Sequence, residues 1–250
     1  MSSWTIGAIV VACTFGGTIL GYRFQSLLPK EHLTPETRDI VKLVMGILGT
    51  LSALVLGLMI SSSRGSYDRQ REEVFELAVK LVSLDRSLER FGPETKQIRL
   101  DLKQVVGGAV EKIWPTDSSK AAAIAPDGAG DTWLRSVESL VATNDSQRFH
   151  QSRAINLGME LMNTRWLLYH QSIGSVPLIL LGLITLWFAL IFFCIGMLAP
   201  RNPTVLVMLL LCALSVSGAM ILGMELDRPF DGILRISGDP ILRALASMGR

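Results

Sequence analysis

Four stretches of this chain carry no charged side chain and are long enough to cross a lipid bilayer: Thr5–Tyr22, Leu43–Ile60, Val176–Ala199 and Thr204–Met224. At about 1.5 Å of rise per residue, 18 residues cover about 27 Å, close to the roughly 30 Å thickness of the hydrocarbon layer. Between the two pairs, Ser61 to Gly174 is polar, with fifteen Lys/Arg and fifteen Asp/Glu and the apolar periodicity of helices. The expected fold is therefore all-α integral membrane, with four transmembrane helices. A cytoplasmic helical bundle is expected to continue from helices two and three. The expected segments are a membrane hairpin at 1–62, an insert at 63–174, a second hairpin at 175–225 and a tail at 226–250.

Composition narrows the class. Hydrophobic residues make up 49% and charged ones 18%, a balance that belongs to integral membrane proteins. The net charge of +2 is too small to recruit nucleic acid or another anionic polymer. Cys13, Cys194 and Cys212 sit in apolar segments without ligand-like spacing, so they are expected as small buried hydrophobes. The first stretch reads as a retained span. Met1-Ser2-Ser3-Trp4 lacks a cationic start, and Gly21-Tyr22-Arg23 stands where a signal peptide has small residues.

Four spans put both termini and the insert on one side. Near the spans that side carries nine Lys or Arg, against five opposite: Arg23, Lys30, Arg38, Lys42 and Arg201. The positive-inside rule then makes the insert and termini cytoplasmic, in a multi-pass protein of the inner (plasma) membrane.

Within the insert, Val74, Leu77, Leu81, Leu84, Leu88 and Phe91 step by three and four, a helical seam that Gly92-Pro93 ends. No stop separates this helix from the second span, so one helix is expected to run through both. A second helix is expected from about Glu94 to Trp114, with Ile98, Leu102, Val105, Ala109 and Ile113 on one face. Its central Gly107-Gly108 costs about 1 kcal/mol per residue unless a neighbour packs there. Residues 116–130 read as an exposed loop. A third helical region begins near Asp131, breaks around Thr143–Asp145 and resumes to about Ser172, with Ile155, Met159, Met162, Trp166 and Tyr169 as its stripe. It is expected to run directly into the third span. These stripes form the core of one subunit or, in part, a contact between subunits.

The chain carries no motif of a known chemistry. His32, His150 and His170 are scattered, and there is no phosphate-cradling loop, G-x-S-x-G, CxxC or H-E-x-x-H. Carboxylate pairs such as Glu72-Glu73 are expected on solvated helix faces. Catalysis and cofactors are both disfavoured. No span contains Asp, Glu, Lys, Arg or His, which lowers an ion-coupled carrier.

The second span has small residues at Gly46, Gly49, Ala53 and Gly57, and the first has Gly17-x-x-x-Gly21. Both suit close helix packing. The second span could instead line an apolar pore that gates by dewetting. Gly46, Leu51, Leu54, Gly57, Leu58 and Ser61 are then the lining candidates, with the leucines as the neck. Its exit, Ser61-Ser62-Ser63-Arg64-Gly65-Ser66-Tyr67, is a selective mouth or a hydrated cap. After the last span, Glu225, Asp227 and Asp231 are secondary candidates for a divalent cation, though ion pairs to Arg228 or insert arginines fit them better. The tail from Ile236 to Leu245 is amphipathic and is expected against the insert or the interface.

Several separated motifs resemble the bestrophin-like family of bacterial membrane proteins, a domain family of unknown function. They are Gly57-Leu58-Met59-Ile60-Ser61-Ser62-Ser63 with Ser66-Tyr67-Asp68, Leu84-Asp85-Arg86, Phe91-Gly92-Pro93 and Ile113-Trp114-Pro115. Thr164-Arg165-Trp166-Leu167-Leu168, Ala199-Pro200-Arg201-Asn202 and Glu225-Leu226-Asp227-Arg228-Pro229-Phe230 complete the set. The more distant likeness to true bestrophins implies a pentameric ion channel lined by its second span. Those channels bind calcium beside an acidic run after the last span. Asp227-Arg228-Pro229-Phe230-Asp231-Gly232 keeps Pro-Phe but lacks the run, so the likeness does not extend to calcium gating.

The sequence thus supports a homo-oligomeric channel for inorganic ions, with the lipid bilayer and copies of itself as partners. The alternatives are a membrane-anchored helical interaction protein without a pore and, less well supported, a small-solute carrier.

Overall fold

The computed structural model describes residues 3–27, 29, 34–115, 125, 128–172 and 178–248. The described residues form eight α-helices and no strand: α1 (Ser3–Gln25), α2 (Pro35–Phe91), α3 (Lys96–Ile113), α4 (Ala129–Glu138), α5 (Asp145–Ser172), α6 (Leu178–Leu198), α7 (Pro203–Leu226) and α8 (Asp239–Ser247). Four of them, α1, α2, α6 and α7, are long and apolar enough to cross a membrane. Two expectations lie outside the described residues. One is most of the 116–130 loop; the other is the passage of the third helical region into the third span, at 173–177.

The chain forms two compact units. One comprises 1–66 and 175–227, the other 67–174 and 228–250, and α2 contributes to both. Its 57 residues have a contour of about 85 Å, nearly three times what a bilayer core of about 30 Å accommodates. The helix starts on a local cap, because Thr34 Oγ1 accepts from the Thr37 N–H at 3.3 Å and Pro35 needs no N–H partner there. In the first turn the Glu36 carboxyl is held below its usual range by its backbone hydrogen bond and the Thr34 hydroxyl.

In the first unit, small residues decide which helices meet. A Cβ on Gly17 would stand 2.7 Å from the Ala189 carbonyl oxygen, and one on Gly21 or Gly196 would strike backbone across the α1–α6 contact. The Gly17-x-x-x-Gly21 motif is therefore a packing site. Gly7 plays the same part against α7, where its carbonyl accepts from Ser217 Oγ at 2.9 Å. Ile6, Val10, Leu181, Ile184 and Met220 fill the space between these helices, with Met59 of α2 on the same cluster. Cys13 and Cys212 lie on the chain's surface, not in its interior as expected, because α1 and α7 turn other faces to their neighbours.

The second unit has its own core. Val74, Leu81, Leu84 and Leu88 of α2 meet Leu102 and Val110 of α3, Trp133 and Val137 of α4, and Ile241 and Leu245 of α8. Two indoles tie its elements together: Trp133 Nε1 donates to the Ile98 carbonyl at 2.9 Å, and Trp114 Nε1 to the Ile236 carbonyl at 2.7 Å. The amphipathic tail thus belongs to this core. Arg99 grips Asp85 with two hydrogen bonds, at 2.7 and 2.9 Å, which join α2 to α3. That hydrogen bonding raises the Arg99 pKa above its ordinary value, against the opposing effect of burial.

Of the α5 stripe, Ile155, Met162 and Tyr169 pack against this core as expected, but two members do not. Met159 and Trp166 are exposed, whereas Ala154, Gly158 and Leu168 are buried. A Cβ on Gly158 would stand 2.9 Å from Leu134 and 3.2 Å from Trp133, so the smallest residue marks the closest approach to α4.

Candidate functional site: the outward face of the second helix

At 3.6 residues per turn, Gly46, Thr50, Leu54, Gly57 and Ser61 fall within an arc of about 80° on α2, with Leu51 and Leu58 beside it. All seven are exposed in the first unit. Leu51, Leu54 and Leu58 are 43%, 61% and 63% accessible. The opposite face is the one that packs, with Ser52, Met59 and Ser63 buried. The structure thus puts the six lining candidates on one broad, outward surface.

The second span is the least enclosed of the four. Only 11% of its most apolar window is buried within the chain, against 39% for α1, 17% for α6 and 22% for α7. A Cβ at Gly46, Gly49 or Gly57 would meet no atom within 4 Å among the described residues. Within the chain, then, the small-residue stripe of α2 does not do what Gly17 and Gly21 do. Glycine costs a helix about 1 kcal/mol per residue relative to alanine, and bare backbone gains nothing from lipid tails.

Thr50 belongs to this face although no motif singled it out. Its hydroxyl donates to the Gly46 carbonyl at 2.8 Å and keeps its acceptor lone pairs on an exposed residue. The signal was its spacing, four residues from both Gly46 and Leu54. Beyond it, Ser61 and Ser62 are exposed and Ser63 is buried, so the polar exit presents two hydroxyls outward.

The other candidates are not gathered. Glu225 and Asp227 are buried at the end of α7, whereas Asp231 is exposed. Among the described residues, no three His, Cys, Asp or Glu side chains are placed to hold a metal. Glu73, expected on a solvated face, is half-buried and accepts from Gln171 Nε2 at 3.1 Å.

A family model for the bestrophin-like domain matches residues 8–241, so it takes in parts of both units. The chain belongs to the bestrophin-like family. With four apolar helices of spanning length, this bestrophin-like protein is a membrane protein in contact with the lipid bilayer. No curated protein and no solved structure shows a significant match to it.

Proposed function

We propose that this bestrophin-like protein is a homo-oligomeric ion channel, a pentamer on the likeness to true bestrophins, with the outward face of α2 turned to a central axis. The observation that carries the reading is the exposure of the second span. It is the least buried of the four, and its glycine stripe is bare. One helix cannot enclose a water path, so a lining role requires copies arranged about a closed rotation axis. Leu51, Leu54 and Leu58 then form an apolar neck, with Thr50 and Ser61 supplying hydroxyls on either side of it. Dewetting of such a neck closes the path without any charged gate. The insert and both termini are cytoplasmic, as the excess of arginine and lysine on their side requires.

The experiment combines mass and current. Full-length protein in detergent should have the mass of five copies, and in planar bilayers it should give single-channel steps. Leu54→Ala or Leu58→Ala widens the neck and should raise unitary conductance about twofold or more. A monomer or dimer without current for either cations or anions would end this reading and favour the pore-free interaction protein.

A further inference from the structure

We propose that the groove between α2 and α8 in the second unit binds a long-chain fatty acid in its carboxylate form. Binding here is read without any current, so its failure and that of the conduction reading are distinguishable. The groove has a volume of about 650 Å³ and is walled by α2 from Arg71 to Arg86 and by α8. Its floor is apolar: Phe75 and Val79 are 50% and 65% exposed, with Val82 and Ala244 beside them. These side chains lie outside the expected spans, so here exposure means contact with water, and a cover over them is favourable.

The rim fixes the charge of the occupant. Arg71, Arg86 and Arg243 line the groove, and Asp239 is its single carboxylate. Among the described residues, none of these three guanidiniums has an ion-pair partner. A surplus of cations above an apolar floor calls for an anion with an apolar body. The planar fork of arginine matches a carboxylate with two parallel hydrogen bonds.

Size and charge then choose among occupants. Arg71 and Arg86 are fifteen residues apart, about 22 Å along the helix, so the site is long and narrow. Small-molecule sites run from about 300 to 1,000 Å³, which includes this one. A second copy would bring an insert with fifteen cations and fifteen anions, hence no anionic excess to answer the rim. A single acyl chain matches the length and volume, and its carboxylate head answers part of the cationic surplus of the rim.

The test uses the full-length protein in nanodiscs of zwitterionic lipid, with protein-free discs as baseline and a dansyl-labelled undecanoate as probe. Saturable binding is expected, with displacement by palmitate and at least about tenfold weaker displacement by the neutral palmityl alcohol. Arg86→Gln and Arg243→Gln should each raise Kd about fivefold, the ratio for a partly exposed ion pair. Val79→Asp should abolish saturable binding. Val79 is exposed, so this change leaves the fold intact, which an unchanged elution volume and helical dichroism verify. Arginine variants with the wild-type Kd, or an alcohol that displaces as well as the acid, would overturn the proposal. So would absence of saturable binding; if Val79→Cys were then shielded from a maleimide in the assembled protein, a second copy would be the occupant.

Discussion

Gly92 sits at φ 141° and ψ −179°, a conformation open in practice to glycine alone, and there the chain leaves α2 for the 3₁₀ turn at Pro93–Thr95. Thr95 completes the turn, since its hydroxyl donates to the Leu88 carbonyl at 2.6 Å and so satisfies an end group of α2. A Cβ at position 92 would also run into the Glu94 side chain. Gly92→Ala should therefore cost about 1–3 kcal/mol. Thermal unfolding of the detergent-solubilised protein checks this, and a Tm within about 1 °C of wild type would remove the strain argument. The stop at Gly92-Pro93 was legible in the sequence because glycine and proline announce their backbone demands. The Asp85–Arg99 pair was not. No spacing in the sequence links the two, and only the turn back of α3 brings them together, leaving the Asp85 side chain 8% exposed.

Among the elements, those whose burial is carried by large aliphatic residues were the easiest to read. The α2 seam from Val74 to Phe91 and the α3 face from Ile98 to Ile113 lie on the core of the second unit, as their three-and-four spacing implies. The α5 seam was legible only in part: Ile155, Met162 and Tyr169 reach the core, but its contact surface is built partly on Ala154 and Gly158, and Met159 and Trp166 stay exposed. Small residues exert little hydrophobic pull yet permit the closest approach, so a pattern of bulky side chains misses them. The two glycine stripes of the spans show the same ambiguity. Gly17 and Gly21 meet α6, whereas Gly46, Gly49 and Gly57 have no close neighbour among the described residues, and spacing alone gives both the same signature. Gly107-Gly108 in α3 is a third case. A Cβ at either would meet nothing within 4 Å among the described residues, so helix propensity alone governs the substitution within one chain. Gly107→Ala should stabilise the protein by about 0.5–1 kcal/mol, read as a rise in Tm. A fall in Tm, or a smaller particle mass, would instead place another copy against this point of α3.

At the scale of the whole molecule, the distribution of charge argues for topology more strongly than any motif does. The four apolar stretches carry no Asp, Glu, Lys, Arg or His, while the 61–174 insert is dense in both signs. Moving even one such charge to the bilayer centre costs about 2.5–3.5 kcal/mol on insertion scales, so the insert stays in water. If all four stretches cross, as proposed, the segment before the second span lies opposite the insert. Ile40 and Val141 report the two sides well, being 63% and 82% exposed. With Cys13, Cys194 and Cys212 replaced by alanine, a membrane-impermeant maleimide added to intact spheroplasts should label Ile40→Cys and spare Val141→Cys. Inverted vesicles should reverse the pattern. Labelling of both positions from the same side would mean that the apolar stretch of α2 does not cross. A face of α2 could not then line a path through the membrane, and the conduction proposal would fall along with the topology.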